Sequence, residues 1–287
     1  MEEKKKGCAC AFPVILGVIV ITVVLINIFS TSKKSSSSVR PGVTQTQATK
    51  TFEGYYLRFN DEFKPGLTSI DDLGLSIVIA VDCSGSMKEY PKSSGNKEKY
   101  IVASESLSDI VTFLQNVYET SWKKEKIKLK LGIIKFSNRV DTVFELTEMN
   151  TDAFHKLRAI TNDPQNFYPN GSTAIGRTLE EGTEILVQSG TIFKSLIVIS
   201  DGENTSGTEP EDVMDAIVNN KNNKTTDDFP ISTQTVLVSF IGFDMEASVF
   251  DRLHEQGARV MTAGNKEELN KSMTDIFLAD INKLEAK

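Results

Sequence analysis

The chain has 287 residues, of which 39% are hydrophobic and 25% are charged, close to the globular average and enough for one large domain with appendages. The first 50 residues hold seven Lys or Arg and two Glu, so the remainder carries 25 basic and 37 acidic residues, a net charge of −12. So acidic a domain argues against nucleic acid and anionic lipid surfaces as partners.

An uncharged stretch near the N-terminus predicts a transmembrane helix. Residues 9–29 contain no charged side chain, and residues 14–25 are almost entirely Val, Ile and Leu. At about 1.5 Å per residue this stretch reaches roughly 31 Å, enough to cross the hydrocarbon core of a bilayer. A secretory signal has a shorter apolar region of about 7–15 residues. We therefore expect an uncleaved anchor, although Ser30 and Ser32 leave cleavage open.

The segments on either side of this span define the expected domain organisation. Residues 1–8 form a short N-terminus that we expect to be cytoplasmic, because a whole domain follows the span. Residues 30–51 are rich in Ser, Thr and Gln without apolar periodicity, which is typical of a flexible linker. Residues 52–72 read as an N-terminal extension of a domain at 73–287. In this orientation the domain is extracytoplasmic, either periplasmic or extracellular.

From residue 73 onward, strand-like and helical patterns alternate. Apolar runs predict strands at 75–81, 127–136, 142–146, 195–200, 233–240 and 259–262. Apolar spacing predicts helices at 97–118, 152–160, 172–188, 209–219, 245–255 and 266–284, with Thr208 and Asn265 as N-caps. The runs at 75–81 and 195–200 lack polar alternation, as strands buried on both faces do. The pattern predicts an α/β fold with a doubly wound, mostly parallel sheet flanked by helices.

An aspartate directly follows each of the two central strands, Asp82 after the first and Asp201 after the second. Ligands of such sheets bind at the carboxyl ends of the strands, so the segments D-C-S-G-S (82–86), G-S-T (171–173) and S-D-G (200–202) are expected to converge there. Their carboxylates and hydroxyls are hard donors that suit Mg²⁺, Mn²⁺ or Ca²⁺. We expect Gly85 and Gly202 to permit the tight turns.

The cysteines and histidines exclude other kinds of site. Cys83 is alone in the domain, so no internal disulfide is expected, and we interpret it as a small buried filler. His155 and His254 stand far from any pair of cysteines. A zinc site is therefore not expected.

Three features of the sequence resemble the metal-ion-dependent adhesion site of von Willebrand factor A domains. They are the motif D-x-S-x-S after the first buried strand, a Thr in a later loop and an Asp after a fourth strand. The segments G-S-T-A-I-G-R-T-L and L-I-V-I-S-D-G-E-N-T are also similar to prokaryotic members, and the resemblance covers roughly residues 70–287. It implies Mg²⁺ as the cofactor, with Mn²⁺ or Ca²⁺ as alternatives, and an open coordination position for an acidic side chain of a partner protein. The implied metal ligands are Asp82, Ser84, Ser86, Thr173 and Asp201.

Simpler roles stay open for individual residues. Asp82 could cap a turn, and Ser84 or Ser86 could cap a helix. Ser172, Glu203 and Asn204 are expected at the ligand-binding rim, although a solvated loop explains the last two equally well.

We therefore expect a membrane-anchored module that binds a partner protein through a divalent cation, in adhesion or assembly, and that is not an enzyme. The motifs contain no G-x-S-x-G nucleophile elbow, no histidine near a serine and no phosphate-binding glycine loop. Two alternatives stay open. One is a partner subunit of a MoxR- or chelatase-type ATPase system, facing the cytosol, and the other is a metal-dependent hydrolase.

Overall fold

The computed structural model describes residue 57 and residues 72–93, 96–219 and 236–285. The predicted span (9–29), the linker (30–51) and all of the predicted extension (52–72) except Leu57 and Asp72 lie outside the described residues. The side chain of Leu57 is buried in a hydrophobic core of the domain. No helix in the described ranges is both long enough and apolar enough to cross a membrane.

In the described part of the chain, six strands form one sheet with the order β3-β2-β1-β4-β5-β6. Neighbouring strands run parallel, apart from the antiparallel pair of β2 and β3. The strands are β1 Asp72–Asp82, β2 Lys128–Phe136, β3 Val140–Glu148, β4 Thr191–Ser200, β5 Val236–Phe243 and β6 Arg259–Ala263. The prediction of a mostly parallel sheet is confirmed.

Helices connect the strands, as parallel neighbours require. A wider helical turn at Tyr118–Trp122 follows the first helix, and short 3₁₀ turns occur at Gly85–Lys88, Pro164–Phe167 and Ala247–Phe250. The α-helices of the described segments are α1 Lys99–Val117, α2 Lys123–Glu125, α3 Thr151–Thr161, α4 Ile175–Val187, α5 Pro210–Asn219, α6 Asp251–Glu255 and α7 Lys266–Glu285.

Both faces of the sheet are covered, which explains why β1 is apolar at every position from 77 to 81. Ile77, Ile79 and Val81 belong to one core, which also contains buried residues of α1, α3 and α7. Val78 and Ala80 belong to the opposite core, with buried residues of α4 and α5. A central strand with two buried faces has no position for an exposed polar side chain. The polar residues that follow Val81 therefore mark the edge of the sheet.

The direction in which strands are added changes between β1 and β4. The chain adds β2 and β3 on one side of β1, and then β4, β5 and β6 on the other side. Val81 pairs with Ile199, so β1 and β4 end next to each other. The connections that leave these two ends diverge and open a crevice, which is where sheets of this kind bind ligands.

The predicted elements differ from the observed ones mainly at their ends. The helix predicted from residue 172 begins at Ile175, because residues 171–174 form a loop. The strand predicted to end at residue 240 continues to Phe243. The helix predicted at 245–255 consists of a 3₁₀ turn followed by the short α6.

One of the two predicted helix caps is confirmed. The Asn265 side-chain oxygen accepts a hydrogen bond from the backbone N–H of Glu268 (2.9 Å), as an N-cap does, and the Asn265 side-chain amide group donates to the carboxylate of Glu268 (2.9 Å). The cap predicted at Thr208 is wrong. The following helix begins at Pro210, and the carbonyl of Glu209 accepts from Val213.

The first turn of α4 packs against the loop that follows β4, and this contact leaves no room for a side chain at Gly176. An added Cβ would lie 2.0 Å from the carbonyl oxygen of Thr208. We expect Gly176→Ala to lower the free energy of unfolding by about 1–3 kcal/mol, because the helix or the loop must shift. Urea unfolding of the full-length chain in detergent micelles measures this change.

Gly202→Ala is the matched control. Among the described residues other than its two chain neighbours, no heavy atom lies within 4 Å of an added Cβ at Gly202, and its φ is not left-handed. We expect a change below about 0.5 kcal/mol. Equal losses in the two variants would contradict the close contact at Gly176.

Candidate metal centre

Asp82 is the last residue of β1, and its side chain is completely buried. One carboxylate oxygen accepts a hydrogen bond from the backbone N–H of Ser84 (2.7 Å), and the other accepts from the hydroxyl of Ser200 (2.6 Å). Burial raises the pKa of Asp82 to about 6, the negative charge of Asp201 adds to the rise, and the two hydrogen bonds oppose it. A nearby cation would favour the ionised form.

The two serines of the D-C-S-G-S loop bring their hydroxyls together next to the second aspartate. The Oγ atoms of Ser84 and Ser86 are 3.0 Å apart, and Ser86 donates to Oδ1 of Asp201 at 2.7 Å. The 3₁₀ turn Gly85–Lys88 places the two serines side by side at its start. The structure thus brings the predicted residues 82, 84, 86 and 201 to one edge of the sheet.

The third predicted segment is hydrogen-bonded to the first through the backbone. Gly85 donates to the carbonyl of Gly171 (2.9 Å), and Asn170 donates to the carbonyl of Cys83 (2.7 Å). Thr173 is buried in the same loop, and its backbone N–H donates to the hydroxyl of Thr205 (2.9 Å). Among the described residues, the hydroxyl of Thr173 has no hydrogen-bond partner. That hydroxyl is available as a ligand.

The glycines of the site have different roles from the predicted ones. Neither Gly85 nor Gly202 has a left-handed backbone, whereas Gly171 (φ 98°) and Gly207 (φ 83°) do. At Gly171 a Cβ would also lie 2.3 Å from the side-chain oxygen of Asn138. The conformational freedom of glycine is therefore required in the loops before α4 and before α5.

Two of the three predicted rim residues hold the loops in place. The Asn204 side chain accepts from the backbone N–H of Ile175 (2.9 Å) at the start of α4, where N–H groups lack partners within the helix. The Ser172 hydroxyl donates to Oδ1 of Asn138 (2.8 Å). Glu203 is exposed and lies two residues after Asp201 along the chain.

Sequence reasoning missed two charged residues, Lys99 and Asp244. Lys99, the first residue of α1, donates from Nζ to Oδ2 of Asp201 at 2.9 Å. Asp244 directly follows β5, and its Oδ2 lies 3.5 Å from the same ammonium. Burial lowers the pKa of Lys99, but the hydrogen bond with Asp201 and the negative charges of Asp201, Asp244 and Glu89 outweigh this effect and raise it. The available signal was that Asp244 follows a parallel strand, as Asp82 and Asp201 do.

A polar cleft of about 410 Å³ lies beside the loop, with Cys83 and Gly171 on its wall and Lys135, Arg139 and Asp141 among its lining residues. Burial raises the pKa of the Cys83 thiol to about 12, so the thiol stays neutral and unreactive. This agrees with the prediction of a buried filler.

Two exposed tyrosines lie near the same loop. Tyr90 is 57% exposed and Tyr168 is 52% exposed. The ammonium of Lys88 lies 4.6 Å from the ring centroid of Tyr168, a cation–π contact. Large exposed aromatic side chains of this kind are common at protein–protein interfaces.

The donors at this edge fit a hard divalent cation. The described residues hold no cluster of three or more His, Cys, Asp or Glu side chains that could bind a metal, so a site here depends on hydroxyls as well as on Asp82 and Asp201. Oxygen donors of this kind suit Mg²⁺, Mn²⁺ or Ca²⁺. The raised pKa of the buried Asp82 also indicates a carboxylate that a cation would stabilise.

The fold and this edge define a doubly wound α/β domain with an oxygen-rich site at its topological switch point. The profile of the von Willebrand factor type A domain family matches residues 76–276. The match covers most of the chain, and the chain therefore belongs to this family.

Solved structures share the fold at low sequence identity. The PilB minor pilin from Streptococcus sanguinis has a TM-score of 0.53 and 17% identity over 71% of this chain and 60% of that chain. A von Willebrand factor type A protein from Catenulispora acidiphila has a TM-score of 0.51 and 19% identity over 71% and 42%, respectively. The conserved hypothetical protein BatB from Bacteroides thetaiotaomicron has a TM-score of 0.51 and 17% identity over 75% and 100%.

The chain spans only 42% of the Catenulispora protein and 60% of the pilin. At these identities the likeness concerns the fold alone. A comparison with curated protein sequences finds no match.

Because Asp82 is buried, we expect the stability of the metal-free domain to depend on pH. Its pKa is about 6 in the folded state against an ordinary 3.8, so between these values the folded state binds a proton that the unfolded state has released. The contribution of Asp82 to the free energy of unfolding therefore falls by about 3 kcal/mol as the pH rises from about 3 to 7. Urea unfolding in EDTA at several pH values measures this loss.

Asp82→Asn cannot ionise at this position and serves as the reference. The free energy of unfolding of the wild type, relative to this variant, should decline across that pH window. Parallel profiles for the two chains would show that Asp82 titrates normally.

Proposed function

We propose that the chain is a protein-binding module that depends on a divalent cation and acts in adhesion or assembly. Asp82, Ser84, Ser86, Thr173 and Asp201 would hold the cation, with Mg²⁺ as the first candidate and Mn²⁺ or Ca²⁺ as alternatives. When bound, the cation supplies a positive site for a carboxylate of the partner protein. The observation that carries the proposal is the convergence of the Ser84 and Ser86 hydroxyls on Asp201 beside the buried Asp82.

Charge supports an acidic group on the partner. Two carboxylates balance the charge of a divalent cation, while neutral hydroxyls leave it able to attract a third carboxylate. The domain as a whole carries a net charge of −12 beyond residue 50, so an acidic partner would be repelled by most of its surface. The site would thus confine acidic ligands to one edge of the sheet.

We propose further that the protein is not an enzyme. Ser84 and Ser86 bond to each other and to Asp201, and His155 and His254 lie on α3 and α6. No imidazole among the hydrogen-bond partners of these serines could activate either hydroxyl as a nucleophile. Asp82, Ser84 and Asp201 would bind and orient, and no proton transfer is required of them.

The surroundings of the site suit a protein partner. The exposed Tyr90 and Tyr168, together with Lys88, lie near the D-C-S-G-S loop, and the polar cleft with Arg139 adjoins it. Aromatic residues and Arg are enriched where protein interfaces bind most strongly. A partner could contact this surface while presenting its acidic side chain to the site.

We also propose that residues 9–29 anchor the chain in a membrane, with residues 1–8 inside and the domain outside. The support is the sequence alone, since residues 9–29 carry no charge and residues 30–51 resemble a linker. A tethered module has a raised effective concentration for partners near the membrane.

Protease added to intact spheroplasts should cleave the linker and release the domain. A chain that is cut only after lysis would place the domain in the cytoplasm.

Metal-dependent retention of a partner tests the function. The tagged full-length chain, solubilised in detergent, is used to capture proteins from membranes and extracts of its own cells, with Mg²⁺ or with EDTA. The Ser84→Ala/Ser86→Ala variant lacks two proposed ligands, so we expect it to retain at least tenfold less of the partner protein than the wild type does in Mg²⁺. The wild type in EDTA should show a similar loss. The measurement is quantitative mass spectrometry of the bound fraction.

Ser121→Ala is the control substitution. Ser121 lies in the helical turn that follows α1, at the opposite end of this helix from Lys99. This variant should retain the partner like the wild type. The same proteins retained in EDTA and by the double variant would contradict a metal-bridged contact. Turnover of phosphate esters that requires Mg²⁺ and Asp82 would instead favour a hydrolase.

A further inference from the structure

Lys99 places a buried positive charge against a proposed metal ligand. It is the first residue of α1, and its backbone N–H donates to the carbonyl of Glu89 at 2.9 Å. Its side chain is only 6% exposed, and Nζ lies 2.9 Å from Oδ2 of Asp201, whose side chain is completely buried. Solvent therefore screens this ion pair little.

The ammonium of Lys99 is also close to two further carboxylates. Oδ2 of Asp244 lies 3.5 Å away and Oε2 of Glu89 lies 3.8 Å away. Glu89 is largely exposed, at 73%, whereas the side chain of Asp244 is 6% exposed. Of these two further carboxylates, Asp244 is therefore the one that adds to Asp201 in offsetting the charge of Lys99 away from solvent.

The position of Asp244 is fixed by its backbone and by its other oxygen. It has a left-handed φ of 61°, its N–H donates to Ala263 (2.7 Å), and its Oδ1 accepts from the backbone of Lys92 (3.1 Å). In the described part of the chain, Oδ2 of Asp244 accepts no hydrogen bond. That oxygen therefore acts on Lys99 through its charge.

The two oxygens of Asp201 have different partners. Ser86 donates to Oδ1, on the side of the proposed metal ligands, and Lys99 donates to Oδ2. A positive charge on Oδ2 reduces the attraction of the carboxylate for a second cation, because charges a few ångströms apart interact strongly where water is excluded. Asp244 reduces this effect by balancing Lys99.

We propose that Lys99 weakens the affinity of the site for a divalent cation and that Asp244 restores part of it, so that this buried ion pair sets the affinity. The inference rests on the proposed function, because it concerns the same site. It assigns roles to two residues outside the D-x-S-x-S pattern.

A purely supporting role for Lys99 predicts the opposite sign. If the hydrogen bond served only to hold Asp201 in position, its removal would release the carboxylate and weaken cation binding. If the charge dominates, removal of the ammonium strengthens cation binding. The sign of the change therefore separates the two roles.

Calorimetric titration of Mg²⁺, and separately of Mn²⁺, into the EDTA-treated full-length chain in detergent micelles tests the proposal. Lys99→Met keeps most of the aliphatic stem and removes the charge, and we expect binding roughly tenfold tighter than in the wild type. Asp244→Asn leaves Lys99 without its buried counter-charge, and we expect binding several-fold weaker. Lys99→Arg keeps the charge and should stay within about threefold of the wild type.

Thermal unfolding with and without Mg²⁺ gives a second readout. Lys99→Met leaves Asp201 buried without a cationic partner, so the metal-free variant should unfold at a lower temperature. Added Mg²⁺ should raise its midpoint by more than it raises that of the wild type, as tighter binding requires. Asp244→Asn should show a smaller rise than the wild type, which tests the proposal even if Lys99→Met does not fold without metal.

The outcomes distinguish the inference from the proposed function. A wild type that binds neither cation would overturn both. A wild type that binds Mg²⁺, with Lys99→Met binding equally or more weakly, would overturn the inference and leave the proposed function standing. Asp244→Asn binding as tightly as the wild type would overturn the part assigned to Asp244.

Discussion

The buried carboxylate of Asp82 is the group around which this edge of the sheet is organised. It ends a strand that is apolar on both faces, and its two oxygens bind the N–H of Ser84 and the hydroxyl of Ser200. These bonds fix the turn after β1 to the end of β4. They do not fully offset the loss of water, since the pKa of Asp82 stays near 6. The proposed cation would complete that compensation.

The remaining parts of the site attach to this centre through short, defined contacts. Backbone hydrogen bonds join the D-C-S-G-S loop to the segment before α4, and Asn204 joins that segment to the loop after β4. Lys99 connects α1 to Asp201, and Asp244 contacts the same ammonium from the end of β5. Groups held at strand ends and helix starts are positioned more rigidly than groups on free loops. The site can therefore be in place before a partner arrives.

Most of the fold, and the residues at the centre of the site, could be predicted from the sequence. Apolar runs without polar alternation identify buried parallel strands. Because ligands of such sheets bind at the carboxyl ends of the strands, Asp82 and Asp201 are then expected to lie together. Lys99 was not predictable, because the length of the irregular segment after β1 decides which residue of α1 faces the site. Asp244 was missed because the apolar pattern predicts that the strand ends at residue 240, whereas β5 continues to Phe243.

Ser172 and Asn204 illustrate a different difficulty. The sequence alone does not distinguish a short polar side chain that hydrogen-bonds to loop atoms from one that is exposed to a ligand. That the five central residues bind metal stays a prediction.

The most direct test of the central claim is the position of a bound cation. Crystals of the protein grown with Mn²⁺ and measured at the manganese absorption edge would show the ion by its anomalous scattering. We expect one strong peak in contact with the hydroxyl oxygens of Ser84 and Ser86, on the Oδ1 side of Asp201. No peak there at saturating Mn²⁺, with Ser86 still donating to Asp201, would contradict cation binding at this edge of the sheet.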